Sequence, residues 1–347
     1  MPFSGFFLRH KDQMRPEISE RKPAGGPKRE GRWIIATTPD SGCLRFFTGR
    51  EPASARDPVF IDTGQPLLDG LAREGFVLGD TVCWRNGPVE WIENQLFILG
   101  RAQVPVTPAT MEEESYRLYR QILEVVGQRS LYRIWNYVPN INHEEPGLLE
   151  NYKLFCVGRS RAFAENYGAT DTSHFPSASA TGCSSDNLTV VFLAGFAEAT
   201  HWENPEQVPA YKYPQQYGPR SPAFARASRF TGRDGNEWVF IAGTAAIKGS
   251  ETQSPGQFEE QLEVTFENIG IMLSQAGMDL QNPQPDRRRH FKVFLRHPQN
   301  LDRMRRELQR HLQGRDSYSI VEADICRADL EVEIELIIFP SDPQPAQ

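Results

Sequence analysis

Residues 291–339, FKVFLRHPQNLDRMRRELQRHLQGRDSYSIVEADICRADLEVEIELIIF, carry the pattern that decides the fold class. A short apolar run from Phe291 to Arg296 reads as a strand. Leu301, Met304, Leu308 and Leu312 then recur every three or four residues, the spacing of one helical face, until Gly314 ends the pattern. Two further strand patterns follow, Ser317 to Ala323 and Glu331 to Phe339. Upstream, Phe258, Leu262, Phe266, Ile269 and Leu273 stripe a helix from Gln257 to Gln275, closed by Gly277, and strands are predicted at Leu188 to Phe196 and Trp238 to Ala242. The order β-β-α-β-α-β-β predicts an α+β fold in which two helices cover one face of a mostly antiparallel or mixed sheet.

The first half repeats this order more loosely. Short β-type runs are predicted at Trp33 to Thr37, Leu44 to Thr48, Val59 to Asp62, Val82 to Arg85 and Trp91 to Leu99. A helix from Glu112 to Val126, a strand LYRIWNYVP and a helix from about Gly147 to Tyr167 follow. The polar, small-residue stretch ATDTSHFPSASATGCSSD suits a loop, which places a division near residue 175. Three regions are therefore expected: a partly flexible, charge- and Pro/Gly-rich arm at 1–31, a domain at 32–175 and a second at 176–347. A duplicated fold agrees with this order, although no internal sequence repeat proves it.

Composition narrows the function. The chain has 347 residues, 39% hydrophobic and 24% charged, which excludes a disordered protein, and its formal charge of −7 lacks the clustered Lys/Arg footprint of a nucleic-acid binder. No run of about 18 apolar residues exists to cross a membrane, and no secretory leader is expected. The five scattered cysteines form no Cys-x-x-Cys pair, and the seven histidines no His-x-x-x-His. No Gly-x-Gly-x-x-Gly or Walker-type loop is present either. Metal and nucleotide cofactors thus have no support, a reducing cytoplasm is the expected compartment, and any chemistry falls to ordinary side chains.

Three segments could carry it. In LEVEIEL, Leu330, Val332, Ile334 and Leu336 point one way and Glu331, Glu333 and Glu335 the other. An open face would make this a plain half-buried strand. A cleft would instead raise a carboxyl pKa and create a general acid. ENPEQVPAYKYPQQYGPRSPAFARA gathers Tyr211, Tyr213, Tyr217, Arg220 and Arg226 among prolines, which suits either a carboxylate-binding loop or a structural connector. FIAGTAAIKG ends a strand in Gly243, Thr244, Ala245 and Ala246, leaving room for a ligand or for close helix packing. The arginines at 303, 305, 306 and 310, and those at 287 to 289 in the preceding loop, read as a solvated face.

Taken together with WNYVPNIN (135–142), GLLENYKLFCVGRSRAF (147–163) and ADICRADLEVEIE (323–335), these segments resemble the chorismatase family. Its members remove the enolpyruvyl group of chorismate as pyruvate, leaving a dihydroxycyclohexadiene carboxylate or a hydroxybenzoate. The likeness spans most of the chain from residue 135 onward and is diffuse before it; the YGPxSPxFAR stretch is its most specific part.

The resemblance implies a RidA/YjgF-like fold in two α/β layers, no cofactor, and chorismate or a close relative as the partner. It implies that Glu333 protonates the enolpyruvyl methylene from a partly buried site that keeps it protonated at neutral pH. Cys326 resembles the cysteine of the branch that forms 3-hydroxybenzoate, which implies 3-hydroxybenzoate and pyruvate as products, with 4-hydroxybenzoate as a further possible product. Tyr213, Tyr217, Arg226 and Arg159 would hold the substrate's carboxylates, and Gly243, Ala245 and Ala246 would shape the space beside the ring. Three positions depart from the family pattern: Lys248 replaces an aliphatic residue, Ser250 a histidine and Leu336 a glycine. These keep alternatives open: a chorismate hydrolase, a diverged RidA-like enamine or imine deaminase, or a non-catalytic ligand-binding relative. A homotrimer and a monomer both remain compatible with the sequence.

Overall fold

A computed structural model describes residues 32–36, 43–45, 60–71, 73–77, 82–232 and 235–341. The arm expected at 1–31 lies outside the described residues, as do Thr37, 46–48 and Val59 at the ends of three early strand expectations. Apart from a small four-stranded sheet of Arg32–Ala36, Cys43–Arg45, Phe60–Asp62 and Arg73–Val77, the chain forms β1 (Leu67–Gly70), β2 (Val82–Asn86), β3 (Val89–Glu93), β4 (Phe97–Pro105), α1 (Met111–Val126), β5 (Ser130–Pro139), α2 (Asn151–Tyr167), β6 (Ser177–Cys183) and β7 (Asn187–Gly195). It continues through β8 (Thr200–Trp202), β9 (Ala227–Thr231), β10 (Glu237–Thr244), α3 (Phe258–Gln275), β11 (Arg287–Leu295), α4 (Leu301–His311), β12 (Ser317–Glu322) and β13 (Val332–Pro340).

The two halves share one topology. The first sheet runs β2-β3-β4-β7-β5-β6 and the second β8-β9-β10-β13-β11-β12, with β1 added at the β12 edge. The parallel pairs are β5/β6 and β11/β12, each joined by a helix that makes the crossover a parallel connection requires. The fold is thus α+β and duplicated, in line with the two-layer expectation, with the repeat carried by topology where the residues have diverged.

Alternation in the strands decides how the halves stack. In the first sheet Ile134, Val138, Val190 and Phe192 pack under α1 and α2. Their alternates Trp135, Tyr137, Val191 and Leu193 meet Phe230, Trp238, Phe240, Ile337 and Phe339 of the second sheet. The opposite face of the second sheet, including Val293, Val332, Ile334 and Leu336, lies under α3 and α4. Helices therefore form the outer layers and the two sheets face each other. No described helix is long and apolar enough to cross a membrane.

Four expectations change. The stretch read as a loop contains β6, whose small residues Ser177, Ala178, Ser179 and Thr181 are buried, because it is pinched between α2 and the second half. β6 and β7 both join the first sheet, so the sheets part after Gly195 and the division expected near residue 175 cuts between two strands of one sheet. α2 begins at Asn151 rather than Gly147: Pro146 precedes Gly147, whose φ of 85° is incompatible with a right-handed helix. Finally, Arg287, Arg288 and Arg289 open strand β11 instead of lying in a loop. Arg289 is no surface charge, since it is buried, ion-paired with Asp316 and donates to the carbonyls of Leu280 and His311. The α4 arginines Arg303, Arg305 and Arg310 do form surface pairs with acids.

Candidate active site

The glutamate face of β13 is not open to water. Val332, Ile334 and Leu336 go to the helices, so Glu333 and Glu335 are driven between the two sheets, where they are 3% and 1% exposed. Glu331 lies nearer the edge, opposite His297. The two buried carboxyls have opposite surroundings. Glu335 accepts hydrogen bonds from Arg133, from Trp135 Nε1 at 3.0 Å and from Ser179 Oγ at 2.9 Å. Glu333 takes no hydrogen bond among the described residues and opens onto a cavity of about 370 Å³. Burial, then the Glu335 charge, push Glu333 from the ordinary 4.5 up to about 8, against the pull of Arg133 and Arg226. It is a protonated acid at neutral pH.

Backbone close to this acid must be bare. A Cβ on Gly243, at the end of β10, would overlap the Glu333 carboxyl, so glycine here is a packing requirement rather than a turn. Beside it, Ala245 lines the cavity. Ala246 does not; it is buried against Ile247, Ile325 and Leu330.

The edge of β6 assembles the rest. Its backbone meets the second half at Ser177–Ala225 and Thr181–Ile325, with Gly182 N donating to Asp324 O at 2.8 Å. These bridges bring Arg226 and Cys326, each one residue beyond a bridge, into the lining of the same cavity as Ser179. The 324–330 loop is held by Arg296. Its guanidinium donates to the carbonyls of Ile325, Arg327 and Leu330, to Asp324, and to Asn142 Oδ1 from the first half.

Cations line the same cavity as the acid. Arg159, on α2, is 2% exposed, stacks over Tyr119 and Phe163, and has Nε and Nη2 without an acceptor. Arg226 donates to the Tyr213 hydroxyl and leaves Nε unpartnered. Arg327 lies 3.9 Å over the Tyr217 ring and donates to Ser250 O and Thr252 Oγ1. Buried guanidinium N–H groups without acceptors are costly, and a bound anion satisfies them. Cys326 lies near the acid. Burial and the Glu333 charge raise its thiol to about 12, so it is no resting thiolate.

Of the residues expected from sequence, Glu333, Cys326, Tyr213, Tyr217, Arg226, Arg159, Gly243 and Ala245 share this one cavity, and Ala246 stands behind it. Tyr211 instead packs edge-on to Phe175. Ser179, Arg327, Asn142 and Lys153 also line the cavity and escaped the sequence reading. Ser179 lay in the supposed loop, and Arg327 was overshadowed by Cys326. Glu203, whose Oε1 accepts from Arg226 N at 3.3 Å, was missed too; burial raises it to about 7. The three departures from the family pattern do not line the cavity. Leu336 faces the helices, Lys248 pairs with Glu206 and Glu267, and Ser250 offers Arg327 only its backbone carbonyl.

Residues 78–194 match the family described as Chorismatase FkbO/Hyg5-like, N-terminal, and residues 222–339 the family Endoribonuclease L-PSP. A 3-hydroxybenzoate synthase of Streptomyces hygroscopicus is 34% identical over 254 residues, which cover 70% of this chain and 73% of that protein. The chain belongs to the chorismatase family. A chorismatase of Streptomyces rapamycinicus is 32% identical over 72% of this chain and 77% of its own length. A chorismatase crystal structure superposes with a TM-score of 0.72 at 27% identity, covering 89% of this chain and 97% of the other. The chorismatase fold thus extends across both halves, including the N-terminal part where sequence likeness was diffuse.

Proposed function

We infer that the chain is a cofactor-independent chorismatase that converts chorismate to 3-hydroxybenzoate and pyruvate. The observation that carries this reading is the pairing, across one cavity, of a buried carboxylic acid with unpartnered guanidiniums. Chorismate is a dianion, and its reactive group is an enol ether that must be protonated on carbon. Arg159, Arg226 and Arg327, with Tyr213 and Tyr217, supply the charge and directional donors for the carboxylates. Glu333 supplies the proton. Transfer to the methylene carbon makes the ether carbon an oxocarbenium centre, the Glu333 carboxylate forms beside Arg226 and Arg133, and water or the neighbouring ring hydroxyl adds to that centre. Collapse expels pyruvate.

Atoms balance without an oxidant. Cleavage consumes one water, aromatisation of the ring releases one, and the products are isomeric in sum with chorismate. In this reading the Cys326 thiol, kept protonated beside the Glu333 carboxyl, assists the aromatising step. With the Lys248, Ser250 and Leu336 side chains off the cavity, the departures from the family pattern do not favour a non-catalytic relative. The test is incubation of the purified chain with chorismate. Pyruvate and 3-hydroxybenzoate released in equal amounts are expected; pyruvate at the spontaneous rate, or ammonia released from a 2-aminoacrylate source instead, would overturn the reading.

A further inference from the structure

Glu335 has no part in the proton transfer above, yet it is the most fully bonded side chain near the acid. It sits two residues from Glu333 on the same face of β13, a spacing of about 7 Å along a strand. Arg133, Trp135 and Ser179 converge on its two oxygens, all from the first sheet. Lys292 of β11 stands across the ladder from it. A carboxyl with this many donors is an acceptor only, whereas Glu333 has none and faces the cavity.

We propose that Glu335 is a positioning residue, a buried carboxylate locked by the first half of the chain whose fixed negative charge opposes ionisation of the acid Glu333. The groups around the pair are Arg133 and Tyr137 from β5, Ser179 from β6, Arg226 before β9, Lys292 from β11 and Cys326 and Arg327 before β13. Arg133 and Arg226 favour Glu333 carboxylate; Glu335 counters them. Because Arg133 is held by Glu335, neutralising Glu335 also releases the Arg133 charge towards Glu333. Both changes act in the same direction.

This inference rests on the chorismatase reading, and two measurements separate their fates. The first is the pH profile of pyruvate release from chorismate. In E335Q the alkaline limb, where the acid loses its proton, moves towards acid by about one pH unit or more, while E335D, which keeps the charge, leaves it near the native position. A native enzyme that turns over chorismate while the E335Q limb is unmoved overturns the proposal and leaves the reading intact. The second needs no turnover and no variant at 335: carbon-13 NMR of Glu-labelled protein, with the Glu333 signal assigned by its loss in E333Q. At pH 6.5 the Glu333 carboxyl is expected to be protonated; an ionised Glu333 overturns the proposal even where E335Q does not fold.

Discussion

Glu333 is the side chain on which the most can be tested. Removing its proton donation in E333Q lowers kcat for pyruvate release by about 10²–10⁴-fold, the ordinary worth of a general acid. Native turnover is expected to fall as pH rises through about 8, because the proposed mechanism uses the acid form. The same group shapes stability. Its carboxyl is raised in the folded chain, so between about pH 4.5 and 8 the folded state keeps a proton that the unfolded state has released. Stability therefore falls with rising pH in that window, by up to about 1.4 kcal/mol per unit. E333Q lacks this loss: thermal melting places it above the native protein at pH 9, with the gap closing towards pH 5. Gly243→Ala tests the other side of the acid. A methyl group where the carboxyl now lies displaces it: kcat falls about 10²-fold, and overpacking the buried site lowers stability by about 1–3 kcal/mol. The alternation of LEVEIEL already separated these glutamates from their apolar neighbours. Whether their face met water or a cleft was beyond it, since period two assigns sides and says nothing of what covers them.

Two elements carry the assembly, and they were unequally visible. The 324–330 loop holds Cys326 and Arg327, and Arg296 at the end of β11 ties three of its carbonyls to Asn142 of the first half. Arg296→Ala lets this loop drift. Product chromatography then shows a larger share of the dihydroxycyclohexadiene carboxylate, because capture by water survives a displaced thiol better than aromatisation does. A change in total rate with an unaltered product ratio would show that Arg296 serves stability alone. The second element, β6, reads as a loop because its Ser, Ala and Gly lack strand propensity and a single Thr does not outweigh them. Its small residues have a reason visible only in three dimensions: β6 is an edge strand covered by the second half, and Ala178, Ser179 and Ala180 form a wall of the cavity. Large residues that signal a strand would fill the site.

Taken as one body, the chain builds its cavity from both of its halves. Asn142, Arg159 and Ser179 come from the first half, and Arg226, Gly243, Cys326 and Glu333 from the second. Every cavity residue named above comes from a single chain. Specific activity per chain is therefore expected to stay constant on dilution, whatever assembly light scattering reports; a loss of specific activity on dilution with the fold intact would mean that a neighbouring copy completes the site.

Much of this was legible in the residues. Helix and strand order followed from apolar period, because burial of one face is a local demand repeated every two or three to four positions. The motifs then pointed to most of the residues that meet around the cavity. Tertiary structure decided three things that no local pattern encodes: the equal topology of two halves with diverged residues, the conversion of a polar loop-like segment into the edge strand that gathers the site, and the different fates of Glu333 and Glu335. The last has a simple cause. The two glutamates are identical in sequence context, and they differ because Arg133, Trp135 and Ser179, some 150 to 200 positions away, reach one and not the other.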